Sequence, residues 1–187
     1  MYYAKINKCD IANGEGIRVS LFVSGCRNRC KGCFQPETWD FTYGKPFDSD
    51  AEAEIISALA NPSVRGLTIL GGEPMEPENQ PEVLSVLRLV KKTYPEKSIW
   101  LYTGNTYEEL CGTHRTHTEY TEDILSLIDI LVDGRFVEEE KKLGLIFRGS
   151  ENQRIIDMIK TTEQGKIILW EGIKEDRKYD SKNKKNI

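Results

Sequence analysis

The chain has 187 residues, of which 39% are hydrophobic and 30% charged, with a formal net charge of −4. That length suits one domain with a real core, and the acidic balance gives no support to nucleic-acid binding as a whole-chain property. No apolar run approaches a membrane span, and Met1-Tyr2-Tyr3-Ala4-Lys5 is no signal peptide, so a cytoplasmic protein with no membrane association is expected.

Residues 2–8 alternate weakly and predict a short edge strand. The turn-rich stretch Asp10 to Gly16 leads into a strand from Ile17 to Val23, apolar enough at its end to be buried on both faces. A cysteine-bearing loop follows, then a polar connection to Asp48. Ser49 or Asp50 can cap a helix from Ala51 to about Ala60, which Asn61-Pro62 ends. Gly66 to Leu70 is a compact strand running into Gly71-Gly72-Glu73-Pro74, and Pro81 to Lys92 is a second amphipathic helix. Ser98 to Thr103 predicts a strand closed by Gly104, Thr106 to Leu110 a short helix, and Glu119 to Leu127 another helix. Ile128 to Val132 predicts a further strand, followed by Asp133-Gly134, and Ile167 to Trp170 a last one. The plan is one domain over 1–170 with a charged, disordered tail over 171–187.

Strands alternating with helices point to an α/β fold with a parallel sheet. The cysteine loop, Gly71-Gly72-Glu73-Pro74, Thr103-Gly104 and Asp133-Gly134 all fall just past the C-terminal end of a predicted strand. In parallel α/β folds that edge is where ligands bind.

Five cysteines, an odd number, argue for metal or redox chemistry rather than a disulfide scaffold. Cys26, Cys30 and Cys33 lie within eight residues, spaced to converge on one inorganic centre. A cubane iron–sulfur cluster takes four thiolates. Three ligands would leave one iron open for chemistry, as catalytic zinc sites leave one position free. A thioredoxin-like Cys30-x-x-Cys33 pair would not need Cys26, and structural zinc wants four ligands, usually as two pairs. Cys9 and Cys111 have no paired partner and read as small buried hydrophobes. Gly14-x-Gly16 lacks the third glycine and the preceding strand of a dinucleotide fingerprint. Cys111, His114 and His117 sit in a short polar loop without a fourth ligand, and Trp39 and Trp100 read as core.

Cys26-x3-Cys30-x2-Cys33 after one strand, with Gly71-Gly72-Glu73-Pro74 after a later one, resembles the radical S-adenosylmethionine (SAM) superfamily. Within it, Asp10-Ile11-x-Asn13-Gly14-x-Gly16-x-Arg18, Leu21 to Cys26, Trp100 to Gly104, Leu131-Val132-Asp133-Gly134-x-Phe136 and Arg148-Gly149-Ser150-x-Asn152-Gln153-Arg154 resemble the activating proteins of anaerobic (class III) ribonucleotide reductases. The resemblance implies an incomplete (β/α) barrel with a curved, mainly parallel sheet. It implies a [4Fe–4S] cluster on Cys26, Cys30 and Cys33, whose fourth iron is chelated by SAM. Gly71, Gly72, Glu73 and Pro74 would meet the SAM amine, and Gly32 and Phe34 would flank its adenine. Thr103, Asp133 and Arg148 would add polar contacts, although a buried Arg148–Asp133 brace explains that pair equally well. The expected activity is reductive cleavage of SAM and hydrogen-atom abstraction from a glycine of the partner, an anaerobic ribonucleotide reductase. Arg27, Arg29 and Lys31 make the cluster loop basic, suited to an acidic electron donor such as flavodoxin.

The run Cys33 to Trp39 also resembles activases of other glycyl radical enzymes, the pyruvate formate-lyase type. Larger members of that group carry extra ferredoxin-like cysteines that are absent here, and the Arg148–Arg154 segment favours the reductase activase. The rival of a different class is a non-catalytic iron–sulfur or zinc module.

Overall fold

A computed structural model describes residues 1–172. The charged stretch from 173 onward, most of the tail read from sequence as disordered, lies outside the described residues.

The fold is mixed α/β around one seven-stranded open sheet. Its strands are β1 (Tyr2–Asp10), β2 (Ile17–Val23), β3 (Lys45–Pro46), β4 (Val64–Gly71), β5 (Ser98–Tyr102), β6 (Ile130–Asp133) and β7 (Arg154–Asp157), in the order β3-β1-β2-β4-β5-β6-β7. The central run β2-β4-β5-β6 is parallel. The margins are antiparallel, with β1 and β3 on one side and β7 on the other. The helices are α1 (Ser49–Leu59), α2 (Gln80–Thr93), α3 (Tyr107–Cys111), α4 (Thr121–Leu127) and α5 (Met158–Gln164). Among the described residues no helix is long and apolar enough to cross a membrane.

Residues from all five helices pack into one core against one face of the sheet, where Val19, Leu21, Leu67, Ile69, Ile99, Leu101 and Leu131 project. The alternate positions Phe22, Leu70 and Tyr102 face the other way and line a cavity. This two-residue period sorts each strand into a helix side and a concave side. Beyond Tyr102 the concave side is filled by Trp100, Val132 and Ile155, against which Phe147 and Trp170 pack.

Several boundaries differ from the sequence reading. The first strand is longer than expected and is flanked by β3, which pairs only with Tyr2 and Tyr3. The cap of α1 is Asp48, whose carboxylate accepts the N–H groups of Asp50 (3.1 Å) and Ala51 (3.0 Å); Ser49 and Asp50 already belong to the helix. Residues 167–170 form no strand and only bridge β7 at Ile156 and Leu169. The strand at that margin is β7, and α5 follows it directly, capped by Asp157 and ended by Gly165 in the left-handed region at φ 63°.

Candidate functional site

The site is assembled at the C-terminal ends of β2, β4 and β5. After Val23 the chain turns through Gly25 (φ 94°), whose N–H donates to the carbonyl of Thr38 (2.8 Å), while Cys26 N–H donates to Trp39 (3.2 Å). The Gly71–Gly72 pair lies directly against this turn. Gly72 N–H reaches Val23 O and Glu73 N–H reaches Gly25 O, both at 2.8 Å. A Cβ on Gly72 would stand 2.7 Å from Gly25 O and 2.9 Å from Thr38 O, so only glycine lets these backbones meet.

Cys26, Cys30 and Cys33 all line one cavity of about 580 Å³, together with Gly71, Gly72, Thr103, Gly104 and Phe34. Cys26 is buried, and Cys30 and Cys33 are half-buried. Burial, with the Glu73 and Glu76 charges adding to it, pushes the Cys26 thiol up to about 11, and burial also raises Cys30. Thiolates in such surroundings call for a positively charged inorganic partner. Among the described residues no three His, Cys, Asp or Glu side chains converge on a single ion. A cubane asks for less convergence, because each cysteine binds its own iron. Three soft sulfur donors on one wall of a cavity therefore fit an iron–sulfur cluster.

Glu73 is fully buried and does not reach the cavity wall. Its Oε2 accepts from Asn28 Nδ2 (2.9 Å), Gly104 N (2.8 Å) and Asn105 Nδ2 (3.0 Å), and its Oε1 accepts from Met75 N (2.9 Å). One carboxylate thus ties the cysteine loop, the β4 turn and the β5 turn together. Burial pushes it up to about 7 against the opposing pull of those donors. Pro74 is buried and is likewise absent from the cavity wall.

Two neighbouring residues missed in the sequence repeat this role at a spacing of three. Glu76, fully buried, accepts from Arg27 N (2.8 Å), Arg27 Nη1 (2.8 Å) and Arg115. Asn79 donates to Ser24 O (2.9 Å) and Glu73 O (3.0 Å). The signal available was polar residues at 73, 76 and 79, directly after a glycine pair and before an apolar helix.

The other expected residues divide between the cavity and its frame. Phe34 is 64% exposed, lines the cavity and packs at a tilt against Phe136, with ring centroids 5.1 Å apart. Gly32 sits at φ 72°, where a Cβ would meet Glu138 at 2.8 Å. Thr103 lines the cavity and its hydroxyl accepts from Asn105 N (3.1 Å). Asp133 does not line the cavity: its fully buried carboxylate accepts Tyr107 N–H (2.7 Å) and Arg154 Nε (2.9 Å). The brace partner is Arg154, not Arg148; Arg148 lies on the cavity wall. Trp39, read as core, is half-buried and lines the cavity, whereas Trp100 is core.

Cys9 and Cys111 are exposed, which corrects their reading as buried hydrophobes. His114 bonds Thr116 (2.8 Å) and His117 bonds Leu110 O (2.7 Å), so those rings are engaged within their own loop. In the cysteine loop, Arg27 is paired with Glu76 and Glu78, and Lys31 with Glu138 and Glu139. Two of its three cations are therefore compensated.

Residues 12–156 match the family described as a 4Fe–4S single cluster domain. A protein of Pasteurella multocida (strain Pm70) is 40% identical over 157 residues, covering 83% of this chain and 96% of the relative. One of Vibrio cholerae serotype O1 is 41% identical over 157 residues, covering 83% and 97%. One of Enterobacteria phage T4 is 36% identical over 155 residues, covering 83% and 93%. Each of the three carries the name anaerobic ribonucleoside-triphosphate reductase-activating protein.

Proposed function

Because the chain belongs to the family of anaerobic ribonucleoside-triphosphate reductase-activating proteins, we propose that it is a radical SAM activase that installs a glycyl radical on that reductase. The observation that carries the proposal is the meeting of Cys26, Cys30 and Cys33 with the Gly71–Gly72 backbone on one cavity wall. When bound, a [4Fe–4S] cluster held by Cys26, Cys30 and Cys33 would, together with SAM, supply one-electron reductive cleavage of SAM and with it hydrogen-atom abstraction from a glycine Cα of the reductase.

The chain's own residues hold and orient. Cys26, Cys30 and Cys33 are the cluster ligands. The backbone carbonyls of Gly71 and Gly72 can approach an ammonium because no side chain stands in the way. Glu73 reinforces that subsite from beneath, its carboxylate held by the Asn28 amide and the Gly104 N–H, both from residues of the cavity wall. Phe34 borders the adenine position, Gly32 serves only the turn of the cysteine loop and is absent from the cavity wall, and Thr103 offers a hydroxyl at the wall. Asp133 acts through the backbone, fixing the start of α3 and so the turn that carries Thr103 and Gly104. The one-sided helical layer supports the finer reading of the sheet as an incomplete (β/α) barrel, and an open concave face suits a substrate that is a segment of another protein.

A one-electron donor such as flavodoxin would complete the system, with Arg29 the cysteine-loop cation left uncompensated for it. The relatives' names support the reductase over a pyruvate formate-lyase-type partner. The test is anaerobic reconstitution with iron and sulfide, then dithionite and SAM. Methionine and 5′-deoxyadenosine should appear in equal amounts; a bound cluster that leaves SAM intact would show a non-catalytic iron–sulfur module.

A further inference from the structure

Among the described residues, the cavity wall carries two cationic side chains, Lys5 and Arg148, and no Asp or Glu. Arg148 donates to the carbonyl of Gln153 (3.0 Å). The Lys5 ammonium lies 4.5 Å from the centroid of the Phe22 ring, and among the described residues no carboxylate pairs with it. Phe22 is aligned with Leu70, the residue before Gly71-Gly72. Lys5 therefore lies on the same cavity wall as Gly71-Gly72, two strands over from the residue that precedes them.

Its direction is set by an irregularity in β1. Tyr3 pairs with Val23 and Ile6 with Leu21, all on the helix side, whereas Lys5 pairs with Phe22 and Asn7 with Ser20 on the concave side. Strict alternation from Tyr3 would have placed Lys5 among the helices. A register shift between Tyr3 and Lys5 reverses the phase, and such bulges re-aim side chains near functional sites. The shift also lets Ile6 join the helix-side core, so the test must separate the two consequences.

We propose that Lys5 is a carboxylate-binding residue of this cavity. The carboxylate is that of SAM's methionyl end or one on the reductase segment that enters the cavity; the inference rests on the function proposed above. An ammonium over an aromatic face, with no carboxylate among the described residues paired to it, is prepared for such a charge-assisted bond.

Reconstituted wild type, Lys5→Met and Lys5→Arg are compared by equilibrium dialysis against SAM and against decarboxylated SAM, and by titration with the reductase. Lys5→Met should lose about tenfold in affinity for SAM and keep its affinity for the decarboxylated compound, with Lys5→Arg restoring most of the loss. Unchanged SAM binding with about tenfold weaker reductase binding assigns the carboxylate to the partner, and the role of Lys5 stands. Equal losses for both SAM compounds, or no change in any titration, overturns it, leaving only the burial of Ile6. If wild type binds the reductase but not SAM, the cofactor reading fails, while the reductase titration still decides Lys5.

Discussion

Cys30→Ala should yield a protein that folds, binds no intact [4Fe–4S] cluster after reconstitution, and forms no detectable 5′-deoxyadenosine. In the proposed assignment the cluster has three protein thiolates to begin with, and no spare cysteine stands at the cavity: Cys9 and Cys111 are exposed and absent from its wall. With two thiolates left, a cubane would have two irons without protein ligands. Cys26→Ala and Cys33→Ala should behave alike, whereas Cys9→Ala and Cys111→Ala should keep the full iron content and the cluster's visible absorption. The fold should survive because the framework beneath the loop consists of Glu73, Glu76 and Asn79 rather than the thiols. An intact cluster in Cys30→Ala would refute the ligand assignment.

Arg18→Met should lower stability by about 3 kcal/mol, on the order of 6–12 °C in melting temperature for a chain of this size. Arg18 is fully buried at the N-terminal end of β2, and among the described residues no carboxylate bonds it. Its guanidinium donates to Thr68 Oγ1 (2.6 Å), Leu67 O (2.7 Å), Ser98 O (2.9 Å), Ser98 Oγ (3.0 Å) and Glu15 O (3.3 Å). Burial brings it down to about 10, so it stays charged at neutral pH. Methionine fills similar space but leaves several buried acceptors unsatisfied, and that loss outweighs the relief of burying no charge. Thr68, which donates to Asn13 O (2.8 Å), loses its own partner, so the turn below the cavity should loosen as well. Arg18→Lys has too few donors for all these acceptors and should fall in between. A melting temperature within about 2 °C of wild type for Arg18→Met would contradict this account of the sheet's lower end.

Much of the architecture was legible because each central strand is a short apolar run ending in glycine or a polar turn, and those irregular ends share one edge. The cysteine triplet stood out by its spacing, and the glycine pair, which a plain strand-to-helix turn would explain as well, stood out only beside it. The margins were not. β7 has only Ile155 and Ile156 between Arg154 and Asp157, too short for a period, and its antiparallel course depends on how residues 134–153 fold back. That same excursion decides which arginine meets Asp133; the sequence offers both Arg148 and Arg154, and only the hairpin geometry selects the second. Lys5 was invisible for a related reason, since a one-residue register shift reverses its side of the sheet without leaving a mark in composition.

The central claim is that the cavity serves a glycine of another protein. The most direct measurement is electron paramagnetic resonance of the anaerobic ribonucleotide reductase after anaerobic incubation with the reduced, reconstituted protein and SAM. The account predicts a carbon-centred glycyl radical on the reductase, matched by 5′-deoxyadenosine, lost when SAM is omitted and lost with Cys30→Ala. SAM cleavage with no radical on the reductase, under conditions where a known activase produces one, would contradict it.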